Sequence, residues 1–313
     1  MMRAMIAITD LLGTTHPIIS APMAGVAGGR LAHAVSAAGG LGMIGARGTS
    51  SPEWIAEQAA LAGEGATPFG IGLMAWVPQL DEQIDAITSL AGLSRPKLVS
   101  VSFGELVEPV RRLHEWGLLV ACQVGNAADL EQAIEARADV VVARGGEGGG
   151  HGRDEVATDD LLAMALSATE RPVLAAGGIS TAADVARVMG AGAAGVWCGT
   201  PFLTCVEADN SPAARAALVA ADATRWSRVH DVAQDLAWPR EFGGRAVDTP
   251  FVQRWAGDED AMTDAARAEH ADGRERGDTD YTPLYAGVGV DRLTAETDAA
   301  SVVRSLVDAV DLT

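Results

Sequence analysis

Between Pro17 and Leu203 the chain alternates short apolar runs with amphipathic stretches. The runs are HPIISAPMAG, GLGMIGAR, PFGIGLMAW, KLVSVSFG, GLLVACQVG, ADVVVARGG, RPVLAAGGIS and GAAGVWCGTPFL. Each is almost continuously hydrophobic, as parallel strands buried on both faces are. They begin about 20 to 30 residues apart, the spacing of repeated strand–helix units and not of a sandwich. The stretches between them carry helical periodicity. TAADVARVMGAG opens on a Ser180/Thr181 cap, sets Val185, Val188 and Met189 on one face and stops at glycine. NAADLEQAIEARA and TDDLLAMALSATE repeat the design, with Asn126 and Thr158 as the expected caps.

Eight strands, each followed by a helix, predict an α/β fold of the (β/α)₈ barrel type over residues 1–204. An open doubly wound sheet is the alternative; it would ordinarily show a GxGxxG turn after its first strand, and APMAGVAGG is not that pattern. The eighth helix is displaced to residues 292–313, where ETDAASVVRSLVDAV places Val303, Leu306, Val307 and Val310 on one face. The insertion between, residues 205–291, carries Trp226, Trp238 and Trp255 among Arg225, Arg228, Arg240, Arg245 and Arg254. Leaving the C-terminal end of a barrel strand, it is expected to form a lid or substrate wall; a dimerisation arm is the other reading. Its highly charged segment GDEDAMTDAARAEHADGRERGDTD is expected to be exposed or mobile.

Composition narrows the function. Of 313 residues 48% are hydrophobic and 36 are glycine, which suits a large core with many tight turns. A net charge of −19 opposes nucleic acid and anionic membranes as partners, so an anionic ligand needs local donors. The N-terminal MMRAMIAITDLLG carries neither a signal-peptide pattern nor an anchor. Cys122, Cys198 and Cys205 lack CxxC spacing and are expected to be free thiols in a reducing, cytoplasmic compartment. Lys97 is the only lysine, and it precedes the fourth strand, at the end of a barrel away from chemistry. That excludes the lysine-dependent aldolases. The six histidines show no HxH or HExxH pair, so no metal site is expected.

Candidate chemistry lies at the C-terminal ends of the strands. The seventh and eighth runs end in Ala176-Gly177-Gly178-Ile179-Ser180 and Cys198-Gly199-Thr200. Glycines there let backbone amides approach an anion at a helix N-terminus, the usual phosphate place of a barrel. The sixth run ends in Arg144-Gly145-Gly146-Glu147-Gly148-Gly149-Gly150-His151-Gly152, a chain able to lie against a flat ligand. His151 is its one group able to accept a proton near neutrality, and Glu147 is expected to orient the loop through backbone amides. The first run ends in Ala21-Pro22-Met23-Ala24-Gly25, which can lie along the edge of a flat ring.

From HPIISAPMAGVAGG through QVGNAADLEQAIEARADVVVARGGEGGGHG to RPVLAAGGISTAADVARVMGAGAAGVWCGTPFL, these motifs resemble the nitronate monooxygenase (2-nitropropane dioxygenase) family of FMN barrels. The resemblance implies an oxidoreductase with FMN as cofactor. Ala21, Pro22 and Met23 would line the flavin, and Gln123 would contact its ring or ribityl chain. Gly149 and Gly150 would pack close to it, and Gly177, Gly178, Gly199 and Thr200 would hold its phosphate. His151 would take the α-proton of a nitroalkane, the nitronate then being oxidised at the expense of O₂. The implied partners are a small-molecule substrate and O₂, with a homodimer possible. Two positions depart from the pattern: Gly72 replaces a frequent asparagine, and Arg144 a frequent glutamine, which would place a cation near the ring or substrate. Other readings are an NAD(P)H-dependent reductase of an enoyl thioester or quinone, and a flavin-binding carrier without turnover. An inosine-monophosphate-dehydrogenase-type barrel would need a cysteine on the sixth loop, which has none.

Overall fold

The computed structural model describes residues 7–308; the first six residues of the N-terminal stretch, and Val310, lie outside them. In chain order the strands are β1 (Ile18–Ser20), β2 (Gly42–Gly45), β3 (Phe69–Met74), β4 (Leu98–Ser102), β5 (Leu119–Val124), β6 (Val140–Arg144), β7 (Gly150–His151), β8 (Val173–Ala176), β9 (Gly195–Cys198), β10 (Thr224–Ser227) and β11 (Gly244–Val247). All pairings in the main sheet are parallel, in the order β1-β9-β8-β6-β5-β4-β3-β2. A bridge between Ile19 and Leu41 joins its two edges; the Leu41 amide donates to Ile18 O at 2.9 Å and the Ser20 amide to Leu41 O at 3.0 Å. The ring is therefore closed, and no edge is left to pair with another chain.

Strand alternation divides the apolar residues between two cores. Ala121, Val140, Val142 and Leu174 face inward with Met43 and Trp197, while Val120, Cys122, Val141 and Ala175 face the helices. A short helix, α1 (Ile8–Leu12), plugs the N-terminal end of the ring with Ile8 and Leu12, so the interior is a packed core and not a channel. The outer layer is α2 (Gly29–Ala37), α3 (Pro52–Ala62), α4 (Leu80–Ser89), α5 (Val107–Glu115), α6 (Ala127–Glu135), α7 (Thr158–Ala168) and α8 (Ala182–Gly190). Asn126 caps α6, accepting from the Asp129 amide at 3.0 Å, and Thr181 and Asp184 form a reciprocal capping box on α8. Thr158 does not cap α7. Ala157 holds that place, and the Thr158 amide donates instead to the Glu147 carboxylate at 2.9 Å.

Residues 205–291 contain α9 (Pro212–Ala220), α10 (Val229–Ala233), α11 (Pro250–Trp255) and α12 (Asp264–Glu275), and α13 (Ala299–Val307) follows. Asp298 caps α13, whose buried Val303, Leu306 and Val307 join the helix-layer core and fill the gap between α8 and α2. The charged stretch expected to be exposed contains α12, an ordered helix. Its charges occupy one face, while Ala266, His270 and Gly273 are buried on the other. β10 pairs antiparallel with β11, and β11 with β7, so a small second sheet lies over the barrel mouth. Lys97 is exposed and precedes β4, at the opposite end. Among the described residues no helix is long and apolar enough to cross a membrane.

Candidate active site

The loop between β6 and α7 is folded around one side chain. Arg144 is only 4% exposed, yet its guanidinium donates to the carbonyl oxygens of Gly148 at 2.6 Å, Gly150 at 3.0 Å and Arg153 at 2.8 Å. Burial, and behind it the neighbouring Arg245, push its pKa down to about 10, so it stays charged at neutral pH. The glycines are shaped to it. A Cβ on Gly148 would stand 2.6 Å from Arg144 Nε, and one on Gly152 would stand 2.4 Å from Nη1. The cation that the sequence placed near a ring or substrate thus spends its donors on its own loop.

Glu147 supplies the second brace. One carboxylate oxygen accepts from the Thr158 amide at 2.9 Å and its hydroxyl at 2.8 Å, fastening the loop to the start of α7. Arg245 on β11 adds a third, donating to Gly146 O and to Asp154, both at 2.7 Å. The Cβ direction of Gly149 is filled by the backbone of Ala286 and Gly287. Gly150 differs: its φ is +74° and nothing lies within 4 Å of a Cβ there.

His151 emerges from this loop into an aromatic enclosure. Its ring stacks on Trp238, with centroids 3.7 Å apart and planes 5° from parallel, and Tyr285 lies 5.0 Å away, tilted by 53°. Its Nε2 lies 2.9 Å from Asp231 Oδ1, and the two side chains are 10% and 2% exposed. Trp238 also meets Trp76 and Phe103, at 4.8 and 5.3 Å between centroids. Phe103, directly after β4, adopts φ +67°, an uncommon conformation for an aromatic residue. Behind Asp231, His230 Nδ1 and His270 Nε2 are 3.1 Å apart. Burial lowers the two pKa values to about 3 and about 4, so both rings are neutral at pH 7. The Tyr285 phenol is held above its usual value, first by burial and then by the Asp231 charge.

The other expected residues lie at the C-terminal ends of the barrel strands. Gly199 brings the first and last of these into contact, since a Cβ there would lie 3.4 Å from both Ala21 Cβ and Met23 Sδ. Pro22 packs on β3: a Cβ on Gly72 would be 2.4 Å from its ring, so with Pro22 in this position the asparagine of the family pattern has no room. Gly177 and Gly178 take φ +110° and +67° just before α8. The Thr200 hydroxyl accepts from the Gly287 amide at 2.9 Å, tying the end of the insertion to this place. Gln123 shares the inward face of β5 with Ala121 and lines a hollow with Phe103, Arg153 and Phe242. The cysteines are free and buried, and burial pushes each thiol up to about 12, so none is a nucleophile at neutral pH.

No motif in the sequence marks Asp231, Phe103 or Tyr285, and Trp238 is legible only as one of the tryptophans of the expected lid or substrate wall. Asp231 stands 80 positions from His151 in a short helix, and no local spacing announces it.

The model of the nitronate monooxygenase family matches residues 6–309. The chain belongs to that family. A nitronate monooxygenase of Pseudomonas aeruginosa is 31% identical over 96% of this chain and 97% of its own length. A dehydrogenase of Rhodococcus jostii, named for (3aS,4S,5R,7aS)-5-hydroxy-7a-methyl-1-oxo-octahydro-1H-indene-4-carboxyl-CoA, is 34% identical over 63% of this chain; the match spans about half of that relative, 54%. Among solved structures FabK from Thermotoga maritima superposes with a TM-score of 0.83 at 27% identity, covering 97% of this chain and 95% of its own. As a member of the nitronate monooxygenase family the protein is a flavin-dependent oxidoreductase acting on a small molecule, and its barrel is the family's fold.

Proposed function

We propose that this enzyme binds FMN and oxidises nitronates or nitroalkanes with O₂, with His151 as the base. The observation that carries the reading is the His151 ring, fixed in an aromatic enclosure on the catalytic face of the barrel, beside the open side of Gly150.

The residues fit the cofactor. Among the described residues the amides of Gly177, Gly178 and Gly199 find no acceptor, although all three are partly buried. Unpaired amides of this kind are costly unless water or a ligand takes them, and those of Gly177 and Gly178 before α8, with Gly199 after β9, suit a phosphate dianion. Thr200 holds the neighbouring turn through Gly287. Ala21 and Met23, which meet at Gly199, with Pro22 between them would line one side of the flavin, and Gly149, Gly150 and Gln123 would contact it from the ends of β6 and β5. When bound, FMN supplies electron acceptance and the reaction with O₂.

The chain's own part is binding, orientation and one proton. The α-hydrogen of a nitroalkane is acidic because the nitro group delocalises the resulting charge, so a neutral imidazole suffices to remove it. Stacking on Trp238 fixes the plane of the His151 ring. On this reading the insertion, whose β11 pairs with β7 at His151, serves as a lid and substrate wall.

A second reading, an NAD(P)H-dependent reductase of an enoyl thioester or quinone, draws on the likeness to a relative named for a carboxyl-CoA substrate. Release of FMN from denatured protein and steady-state assays separate the cases. Oxygen uptake with nitronate supports the main reading. Rapid NAD(P)H oxidation with an enone or quinone, and no turnover of nitronate, replaces it with the second.

A further inference from the structure

The geometry points to Asp231 as the positioning residue for His151: its carboxylate fixes a proton on Nε2 and leaves Nδ1 as the basic atom. This inference rests on the reading of His151 as the base. It gives the insertion a specific part in the chemistry, beyond covering it.

Three observations lead there. First, Asp231 is 2% exposed, and among the described residues its only ionisable partner within salt-bridge distance is His151, at 2.9 Å. A buried carboxylate is costly unless a hydrogen-bonded partner can share positive charge with it, and here imidazole is that partner. Second, an ionised carboxylate only accepts, so Nε2 must donate and the neutral ring must carry its lone pair on Nδ1. No protein atom among the described residues bonds to Nδ1. Third, Trp238 stacked on the ring and Tyr285 beside it restrict the plane in which that lone pair can point. The logic is that of an acid–base histidine oriented by a third group: the carboxylate selects the tautomer and stabilises the imidazolium formed on proton transfer.

The other titratable groups around the ring are His230 on α10, Tyr285 before α13, Arg144 inside the loop and Arg245 on β11. The His230–His270 pair is neutral at pH 7, which leaves Asp231 as the charge in direct contact with the imidazole.

The test is a titration of ¹⁵N-histidine-labelled holoenzyme by NMR, with His151→Gln used to assign the signal. The wild type should show His151 as the Nε2–H tautomer. In Asp231→Asn the Nε2–H preference should be lost and the titration of the signal should move to lower pH, as loss of an adjacent opposite charge requires. The base limb of the nitroalkane pH–rate profile should move with it, while turnover of preformed nitronate stays within about threefold. Asp231→Glu, which keeps the charge, is the second variant should the amide impair folding; it should preserve the Nε2–H tautomer. An unchanged His151 titration in Asp231→Asn overturns the pairing, whatever His151 does in turnover. A shifted titration with unchanged nitroalkane turnover overturns the base assignment, and the positioning role with it.

Discussion

A Cβ on Gly152 would lie 2.4 Å from the Arg144 guanidinium, so the smallest residue and one of the largest share one place at the end of β6. The glycine-rich loop is therefore not merely a close approach to a ligand. It is a shell of carbonyls around a buried cation, and its stiffness holds the next residue, His151.

Replacing Arg144 tests that relation. Arg144→Met leaves the carbonyls of Gly148, Gly150 and Arg153 without their buried donor. An unsatisfied buried polar group costs roughly 1–3 kcal/mol, and in a domain of this size each kcal/mol lowers the Tm by about 2–4 °C. Calorimetry should show a fall of several degrees, and nitroalkane turnover should drop at least tenfold as the base loses its support. An unchanged Tm would mean the guanidinium does not brace the loop.

Thr200 reports on the phosphate place. Thr200→Val keeps the shape but removes the oxygen that accepts from the Gly287 amide. FMN retention, measured by equilibrium dialysis, should weaken about tenfold, whereas Gly178→Val should weaken it further by filling the cradle. Wild-type retention in both variants would place the phosphate elsewhere.

The buried histidine pair predicts acid sensitivity with a definite sign. His230 and His270 have folded-state values near 3 and 4, below the ordinary imidazole value of 6.5. Between those values the unfolded chain binds more protons than the folded one, so stability is complete above about pH 6.5 and is lost as the pH falls toward 4. The Tm of the wild type should decline across that window, and that of His270→Phe less steeply. Parallel declines would show that the pair stays solvated.

Much of the fold could be read from the chain because its physics is local. Eight continuous apolar runs can only be strands covered on both faces, and Asn126 and Thr181 cap their helices through neighbours three residues on. Thr158 looks like a cap from its local sequence but is not one, because the carboxylate that takes its amide belongs to Glu147, on the preceding loop. The charged stretch of α12 hid its buried face because Ala266, His270 and Gly273 are small or polar. β7 is two residues long, too short for any periodicity, and its pairing with β11 brings His151 to the insertion. Asp231 was out of reach for the same reason: the contact is made by tertiary structure alone.

The account centres on His151 as the proton acceptor beside bound FMN. The most direct measurement is anaerobic rapid mixing of FMN-loaded wild type and His151→Ala with a neutral nitroalkane and, separately, with its preformed nitronate, following loss of flavin absorbance. General-base catalysis contributes about 10²–10⁴-fold. The variant should therefore slow by at least a hundredfold with the nitroalkane and by no more than a few-fold with the nitronate. Equal slowing with both substrates, or with neither, would contradict it.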